Sequence, residues 1–366
     1  MKILFIGKYN ETEILTGPEK VAKRLFEQIS IINPDSQFIT YFFKGQYKRK
    51  LSDVLFGKTI IQDSPQIMQL GIIKTLQFIY QFKPSIIHFV TFERYYLPVL
   101  LLKELINAKF IYTIHGMYKF ERQYYYSNQK LFSKIKDLIL ERMLYSKSDK
   151  LIFLSEQSSE LAKKYYRFTQ LGIQKIPNGT LLVENTPKIT FDFRDGVKTV
   201  FFDGSQNSLR RGVDILINIL DSNYQTKICL TVLSNKKYHL PVKYLKLKNQ
   251  SYLPEKKLFE FLSKNHIYID SLNFQTFSLM ALEAMSLGLI VIVSNQSGIS
   301  SYIKNGKNGF IFNVEKPEDI KEIVQNISSA KYCLESISTN AIATAKELRW
   351  DKIASQYLNT YRELLK

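Results

Sequence analysis

The sequence of 366 residues contains few of the residues that build disulfide or metal frameworks. It has two cysteines, Cys229 and Cys333, and four histidines, at positions 88, 115, 239 and 266. Two cysteines cannot form a disulfide framework in a chain of this length, and neither residue type shows metal-ligand spacing. An Asp-x-Asp motif is also absent. These absences disfavour a disulfide-stabilised secreted domain and a metal centre, and they fit a reducing cytoplasm.

Long apolar runs are missing as well. The opening MKILFIG contains an apolar stretch of about five residues, which is too short for the apolar region of a signal peptide or for a membrane span. No later segment reaches the run of about 18 apolar residues that indicates a membrane span. We therefore expect a cytoplasmic protein that is soluble or bound peripherally to the inner face of the membrane.

Acidic residues are too few to balance the basic ones. The chain has 51 Lys and Arg against 33 Asp and Glu, a formal net charge of +18. The excess lies mainly in the first half, where basic residues alternate with aromatic ones in FKGQYKRK (43–50) and in 117–136. Nucleic acid would bind such a mixture through phosphates and stacked bases. An anionic membrane would bind it through headgroups and interfacial rings. A solvated surface rich in lysine is the third explanation.

Hydrophobic residues, at 45%, are plentiful enough for well-formed cores. A chain of this length is expected to form two domains of roughly 180 residues each. Apolar strand patterns alternate with helical patterns, which is typical of parallel sheets. The strands are expected at 2–7, 38–45, 84–91, 109–116, 149–154, 197–205, 227–234, 267–269 and 289–295. The helices are expected from about 19, at 69–82, 95–107 and 129–147, from 254, at 279–285 and within 348–366.

These patterns predict an α/β protein with two doubly wound domains. We place the first domain at 1–182, a linker at 183–196, the second domain at 197–345 and a final helix at 346–366. The helix at 129–147 is expected to be amphipathic, with one apolar face formed by Leu131, Phe132, Ile135, Leu138, Ile139 and Met143.

The stretch from Ile267 to Gly288 is the most informative segment. A short strand breaks at Asp270 and is followed by a helix of strong helix formers. The positive end of such a helix is a natural anion site. Glu283 is the one carboxylate in the apolar run LMALEAM. By its spacing alone it is either a half-exposed residue on a packing helix or a ligand-binding group.

Three further positions are candidates for ligand contact. Gly17 in the Thr-Gly-Pro turn is either a simple turn residue or a place where a ligand approaches the backbone. His115 follows the end of a predicted strand, where open α/β sheets bind ligands, whereas His88 lies within a strand and is interpreted as core. Arg210 and Arg211 begin a predicted helix and oppose its dipole, a conflict that a bound diphosphate would resolve.

The run QTFSLMALEAMSLG (275–288) resembles the donor-binding segment of the retaining glycosyltransferases of family 4, which have the GT-B fold. In that family two glutamates lie eight positions apart around a Gly-Phe-Gly-like turn. Glu283 matches the second, which holds the ribose hydroxyls of a nucleotide-sugar. Gln275 stands where the first is found, and it can form hydrogen bonds but cannot carry a negative charge.

Other matches follow in the family's order along almost the whole chain. The Gly17-Pro18 pair stands where the family has Gly-Gly, and His115-Gly116 matches a pair at the donor sugar or acceptor. The family's Gly-Arg, a gap of five and Lys-Gly correspond to the segment from Gly204 to Gly212. There Arg211 takes the place of the lysine, Ser205 replaces the arginine, and Arg210 could compensate.

The resemblance implies two Rossmann-like domains that face a central cleft, with the C-terminal helix crossing back to the first, acceptor-binding domain. It implies a retaining, metal-independent hexosyltransferase without a cofactor, in which the nucleotide-sugar is a co-substrate. The donor is expected to be a UDP-sugar, and the acceptor a cell-surface glycan or a lipid-linked molecule. An anionic membrane is a further expected partner and nucleic acid is not. Expected catalytic residues are His115, Arg211 and Gln275, and expected donor-binding residues are Gly17, Ser205, Arg210, Arg211, Gln275, Thr276, Phe277, Ser278, Leu279 and Glu283.

The departures at Gln275 and Ser205 keep a second function open. A GT-B subunit without catalytic activity could bind an acceptor or a protein and stabilise an active glycosyltransferase partner. Retention of Glu283, Arg211 and His115 favours the enzyme.

Overall fold

The computed structural model of the protein describes residues 1–9, 14–41, 51–61, 64–125, 130–166, 172–182, 189–204, 212–222 and 225–366. The chain forms two compact units. The first unit comprises Met1–Leu154, Ser159–Pro177 and Trp350–Lys366. The second comprises Ser155–Ser158 and Asn178–Arg349.

The first unit is built on an eight-stranded sheet. Its strands are β1 (Ile3–Ile6), β2 (Gln37–Thr40), β3 (Lys58–Ile61), β4 (Ser64–Leu70), β5 (Ile86–Phe89), β6 (Lys109–Ile114), β7 (Lys150–Phe153) and β8 (Ile173–Lys175). Their order is β3-β4-β2-β1-β5-β6-β7-β8. Only the edge pair β3–β4 is antiparallel among these strands. Central strands such as β1 and β5 are buried along their whole length, as expected for parallel strands covered on both faces.

Helices cover the first sheet. They are α1 (Gly17–Ile32), α2 (Leu51–Phe56), α3 (Ile72–Phe82), α4 (Leu97–Leu101), α5 (Tyr118–Tyr125), α6 (Leu131–Lys147), α7 (Glu156–Tyr165) and α13 (Trp350–Leu364). One apolar face of α1 is buried, and it consists of Val21, Ala22, Leu25, Phe26 and Ile29. Ser155 caps α7, because the Ser158 amide donates to Ser155 Oγ at 3.2 Å.

The second unit has a six-stranded sheet, parallel throughout its described strands. Its strands are β9 (Val197–Phe202), β10 (Ile228–Leu233), β11 (Leu245–Gln250), β12 (Ile267–Ile269), β13 (Ile290–Ser294) and β14 (Phe310–Phe312). The order β11-β10-β9-β12-β13-β14 is that of a doubly wound dinucleotide-binding sheet. Its helices are α8 (Val213–Asp221), α9 (Glu255–Leu262), α10 (Leu279–Ser286), α11 (Asp319–Ser328) and α12 (Leu334–Glu347).

Helix α13 belongs to the first unit although its sequence follows that of the second. Tyr357 and Tyr361 are fully buried there. The hydroxyl of Tyr361 lies 2.6 Å from His88 Nδ1, and Thr113 Oγ1 lies 2.8 Å from His88 Nε2. His88 is therefore a hydrogen-bonded core residue, as its place within a strand indicates.

The buried face of helix α6 differs from the apolar face that the sequence predicts. The structure buries Asp137, Leu140, Glu141, Leu144 and Tyr145. Four of the six residues predicted for the apolar face are instead exposed, namely Leu131, Phe132, Ile135 and Ile139. The prediction was wrong because α6 is apolar on two opposite sides, and its two acids, which look like surface residues in sequence, point inward.

Candidate functional site

The second unit places two aspartates at the switch point of its sheet. Strands β9 and β12 are neighbours there, and the sheet is built outward from them in opposite directions. Asp203 directly follows β9 and Asp270 directly follows β12, and both side chains are fully buried. Open parallel sheets bind ligands beyond the carboxyl ends of their strands at this point. The candidate site begins at these two residues.

Asp270 accepts hydrogen bonds from four side chains. Tyr268, Gln275 and Ser278 donate to Oδ1 over 3.3, 3.0 and 2.8 Å. Ser297 donates to Oδ2 over 2.8 Å. The carboxylate therefore ties the loop after β12 to the segment after β13. Sequence reasoning missed this role, although a carboxylate directly after a buried strand is a signal that could have pointed to it.

The loop between β12 and α10 holds the predicted donor-binding residues. Gln275, Thr276, Phe277 and Ser278 are buried, and Leu279 is half-buried. Ser278 caps α10, because its Oγ accepts from the Ala281 amide at 3.3 Å. The structure thus brings this part of the predicted set together at the start of α10.

The backbone of this loop is fixed by the segment that follows β13. The Gly298 amide donates to the Gln275 carbonyl at 3.0 Å, and the Gln275 amide donates to Gln296 at 3.3 Å. A Cβ atom on Gly298 would lie 2.1 Å from the Thr276 carbonyl oxygen. Glycine is required at position 298 because the two backbone segments approach so closely.

Glu283 lies in the middle of α10 and is only 3% exposed. Every residue from Met280 to Ser286 is buried, so Glu283 is not the half-exposed residue that was one of the two alternatives for it. Burying a carboxylate among apolar groups is costly unless it is hydrogen-bonded. Its burial next to the switch point makes Glu283 a candidate ligand-binding group.

The residues predicted to hold the phosphates, Ser205, Arg210 and Arg211, lie outside the described residues. The described chain resumes at Gly212, which precedes α8 with a φ of +73°. A Cβ there would lie 2.8 Å from the Leu272 side chain. Gly212 therefore satisfies both a left-handed backbone and a close contact with the loop after β12.

Asp203, at the end of β9, accepts hydrogen bonds from three hydroxyl groups. Tyr238 donates to its carboxylate, Ser234 donates to Oδ2 at 3.3 Å, and Tyr252 donates to its backbone carbonyl at 2.7 Å. Burial and the hydrogen bond to Asp203 raise the pKa of Tyr238. Asp203 thus anchors the end of β9, from which the predicted phosphate loop departs.

The first unit positions His115 directly after β6, at the carboxyl end of its sheet. Burial lowers the pKa of His115 to about 4, although a hydrogen bond with the Val90 backbone acts in the opposite direction. The imidazole is therefore neutral at pH 7 and can donate and accept one hydrogen bond each.

Gly17 is the first residue of α1, and its surroundings are open. No described atom lies within 4 Å of the position where a Cβ would stand. The preceding Thr16 amide donates to Glu19 Oε2 at 2.9 Å, and Glu19 also contacts Lys8 as an ion pair. The turn is therefore fixed by Glu19, while Gly17 itself leaves space for a ligand.

Glu93 is an ionisable group near this turn that sequence reasoning missed. Burial raises its pKa to about 7, Lys8 lowers it and Glu19 raises it. Lys8 follows β1 closely and Glu93 follows β5, the two strands at the switch point of the first sheet. Their positions after adjacent strand ends were the signal available in the sequence.

Grouped metal ligands and membrane-spanning helices are both absent from the described residues. In that part of the chain no three His, Cys, Asp or Glu side chains are grouped as metal ligands. Likewise, none of the helices described above combines the length and apolarity needed to cross a bilayer.

Two family models match the chain. The model for group 1 glycosyl transferases matches residues 208–344, and the model for glycosyltransferase family 4 matches residues 39–181. Together the matches span most of both units. The chain belongs to the GT-B glycosyltransferases of family 4. In this glycosyltransferase Asp270 and the loop that leads into α10 lie within the group 1 match, whereas Asp203 precedes it.

Curated relatives match a smaller part of the glycosyltransferase. The D-inositol 3-phosphate glycosyltransferase of Rhodococcus jostii (strain RHA1) is 28% identical over 88 residues, which cover 24% of this chain and 20% of that protein. The chain therefore matches about a fifth of the length of that relative.

Solved structures match over the full length. Sucrose-phosphate synthase from Thermosynechococcus elongatus has a TM-score of 0.75 at 14% identity, covering 100% of this chain and 99% of the other. Anabaena HepE in complex with UDP-glucose has a TM-score of 0.71 at 15% identity, covering 99% and 100%. At these identities the likeness establishes the fold of the glycosyltransferase.

Proposed function

We propose that the protein is a retaining, metal-independent hexosyltransferase that transfers a sugar from a UDP-sugar to a cell-surface glycan or a lipid-linked acceptor. The burial of Glu283 beside the switch point carries this proposal. A buried carboxylate is stabilised by hydrogen-bond donors, and the two ribose hydroxyls of a nucleotide are suitable donors. The complex of Anabaena HepE with UDP-glucose supports uracil as the base of the donor.

We propose the remaining roles from the resemblance and from the loop that leads into α10. Gln275 accepts a hydrogen bond from a hydroxyl of the donor sugar. The diphosphate is held by the backbone of Thr276, Phe277, Ser278 and Leu279 at the positive end of α10. Arg211, supported by Arg210 and Ser205, neutralises the charge that develops on the leaving diphosphate.

The transfer requires no covalent enzyme intermediate. The bond from the anomeric carbon to the diphosphate oxygen breaks, and a bond to the acceptor oxygen forms on the same face of the sugar. The acceptor proton moves to the leaving diphosphate oxygen. Gln275 is compatible with this reaction because no carboxylate nucleophile is needed. Within the first unit, we assign His115, whose neutral ring can hydrogen-bond a hydroxyl, and the open turn at Gly17 to sugar binding.

Calorimetric titration with UDP, GDP, ADP and UDP-sugars tests the proposal. We expect UDP to bind and Glu283→Gln to weaken the binding about tenfold, because a hydrogen bond to a charged group is lost. Glu322→Gln is the matched control, since Glu322 is exposed on α11. Absence of binding by every nucleotide would contradict the proposal. UDP binding without release of UDP from any UDP-sugar in the presence of acceptors would favour the non-catalytic subunit.

We also propose that the first unit binds an anionic membrane through the outer face of α6. This face is formed by Leu131, Phe132, Ile135 and Ile139, and the first two are 73% and 69% exposed. Apolar side chains in a row on an exposed helix face mark an interaction surface. A lipid-linked acceptor would bring the enzyme to such a surface.

The charged residues of α6 also favour an anionic partner, because the acids are buried and the exposed charged residues are basic. Its two acids face inward. Asp137 accepts two hydrogen bonds from Arg94, at 2.6 and 2.8 Å. Glu141 accepts hydrogen bonds from the backbone amides of Tyr118 and Lys119. The exposed cations on or next to the helix are Lys130, Lys136 and Arg142, and Lys136 Nζ lies 4.3 Å from the Phe132 ring centre. Exposed cations flanking apolar residues, with acids turned inward, suit an anionic bilayer.

Co-sedimentation with vesicles tests this face. We expect binding to phosphatidylglycerol vesicles, loss of binding at high salt, and no binding to phosphatidylcholine vesicles. The double variant Phe132→Ser/Ile135→Ser should abolish the binding, whereas Ile215→Ser, which alters an exposed apolar residue on α8, should retain it. Equal binding to both lipids, or unchanged binding by the double variant, would contradict the assignment.

A further inference from the structure

The hydrogen bonds around Asp270 determine what Gln275 can offer to a ligand. The oxygens of the Asp270 side chain accept hydrogen bonds here, and Gln275 turns its amide nitrogen toward Oδ1, at 3.0 Å. This orientation leaves the amide oxygen of Gln275 as an acceptor. The orientation of the amide is therefore set by chemistry.

The surroundings prevent Gln275 from reversing this arrangement. Its backbone amide and carbonyl are held by Gln296 and Gly298. The oxygen that faces Gln275 also accepts from Ser278 at 2.8 Å, and Ser278 is fixed as the cap of α10. The other carboxylate oxygen accepts from Ser297. A reversed amide would bring its oxygen against a fully buried carboxylate, at the cost of electrostatic repulsion.

We propose that Asp270 is a positioning residue that fixes the amide oxygen of Gln275 as an acceptor for a ligand, so that the negative charge expected at position 275 is carried five positions earlier in the chain. This inference rests on the proposed function, in which Gln275 contacts a hydroxyl of the donor sugar. The amide donates to Asp270 and becomes polarised, which strengthens its oxygen as an acceptor. The pair thus offers a sugar hydroxyl a hydrogen-bond acceptor, as a glutamate at position 275 would. The negative charge lies on Asp270 and not on the side chain that contacts the ligand.

The arrangement predicts that restoring the family's glutamate damages the protein. In a Gln275→Glu variant the introduced carboxylate would face Asp270 with like charge, and two carboxylates that share one site cannot both ionise freely. In its protonated form the introduced side chain would instead donate to Asp270 and keep an acceptor oxygen, as Gln275 does. The variant should therefore be nearly normal at acidic pH and should lose stability as the pH rises and the shared proton is released.

A second substitution should repair the first. In Asp270→Asn/Gln275→Glu the amide and the carboxylate exchange places, and the new amide at position 270 donates to the new carboxylate at position 275. The hydroxyls of Ser278, Ser297 and Tyr268 can rotate to accept or donate. Tyr268 is the other ionisable side chain seen in contact with Asp270, and it contributes a donor in the native protein. The double variant should regain stability and lose the pH dependence.

The test combines thermal unfolding from pH 5 to 8.5 with titrations of UDP and a UDP-sugar. We expect the UDP affinity of Gln275→Glu to change little, while its preference for UDP-sugar over UDP falls about tenfold at pH 8, the size of one lost hydrogen bond. The double variant should restore both the preference and the unfolding temperature. Ser297→Ala is the control: it removes a donor on the far oxygen, so it should lower stability at all pH values without changing the preference.

The outcomes separate this inference from the proposed function. If Gln275→Glu is as stable as the native protein at every pH, or if Asp270→Asn brings no rescue, the positioning role is wrong. If no variant and no native protein binds a nucleotide, the proposed function fails, and the unfolding data still decide whether Asp270 and Gln275 are coupled.

Discussion

His88 Nδ1 and the hydroxyl of Tyr361 lie 2.6 Å apart, although 273 positions separate the two residues. Both are fully buried. The hydrogen bond links β5, in the middle of the first sheet, to α13. Helix α13 therefore supplies part of the core of the first unit.

Tyr361→Phe should lower the free energy of unfolding by about 1–2 kcal/mol, because a buried ring nitrogen of His88 loses its partner. Urea denaturation monitored by circular dichroism measures the change. Tyr357→Phe is the matched control: its hydroxyl contacts Thr113 Oγ1 at the longer distance of 3.3 Å, so we expect a smaller loss. Equal losses of unfolding free energy in the two variants would show that the hydrogen bond to His88 stabilises the protein no more than the contact with Thr113.

Stability should fall as the pH drops below about 6.5, and His88 should contribute to the fall. Burial, with a smaller effect of His115, lowers the pKa of His88 to about 3. Between the two pKa values the unfolded chain binds a proton that the folded chain does not, so acid favours unfolding by up to about 1.4 kcal/mol per pH unit. His88→Gln removes this proton-binding site and should make the free energy of unfolding depend less on pH.

The measurement is the free energy of unfolding at pH 7.5, 6 and 5 for the native protein and the variant. Burial also lowers the pKa values of His115 and His266 to about 4 each, so part of the slope should remain in His88→Gln. Identical slopes for the two proteins would refute the assignment.

Gly17→Ala should leave the fold intact and impair turnover. The added methyl group meets no described atom within 4 Å, and alanine is the better helix former, so stability should stay the same or rise by up to about 1 kcal/mol. If a ligand approaches the backbone there, UDP-sugar turnover should fall by about tenfold or more. Unchanged turnover would mean that Gly17 serves only the turn.

Gly298→Ala should damage the donor loop. Its methyl group would stand 2.1 Å from the Thr276 carbonyl oxygen, and the resulting shift should cost about 1–3 kcal/mol of stability and weaken UDP binding. Gly306→Ala is the control, since Gly306 has a φ of +72° and open surroundings. It should cost about 1 kcal/mol of backbone strain and leave UDP binding unchanged. Equal UDP affinities in both variants would contradict this role of Gly298.

Much of the fold could be predicted because its central elements carry strong patterns. Strands β1, β5 and β13 are short, fully buried runs, and they appear where the sequence indicates. Strands β3, β4, β8 and β11 were missed, and physical reasons apply to two of them. Strand β11, LKLKNQ, lies at the edge of its sheet and alternates with lysine, as edge strands often do. The segment of β4 contains a proline and three other polar residues, and its last two residues were assigned to the following helix.

The candidate site was predictable only in part. Glu283 and the loop from Gln275 to Ser278 were proposed as site residues through a motif that is contiguous in the sequence, and the structure shows them buried at α10 and its start. Asp270 was missed as a hydrogen-bond centre because Ser297, one of its donors, is 27 positions away and is brought to it by the pairing of β12 with β13. The orientation of α6 could not be derived from periodicity, since both of its sides are apolar.

The division of the chain also bears on the order in which the protein is made. During translation every residue of the second unit leaves the ribosome before Trp350 does, whereas the first unit still lacks Tyr357 and Tyr361. Domains generally fold as units during synthesis, in the order in which they become complete. The core of the first unit therefore stays incomplete during translation until α13 is made, and the second unit can complete its fold before that.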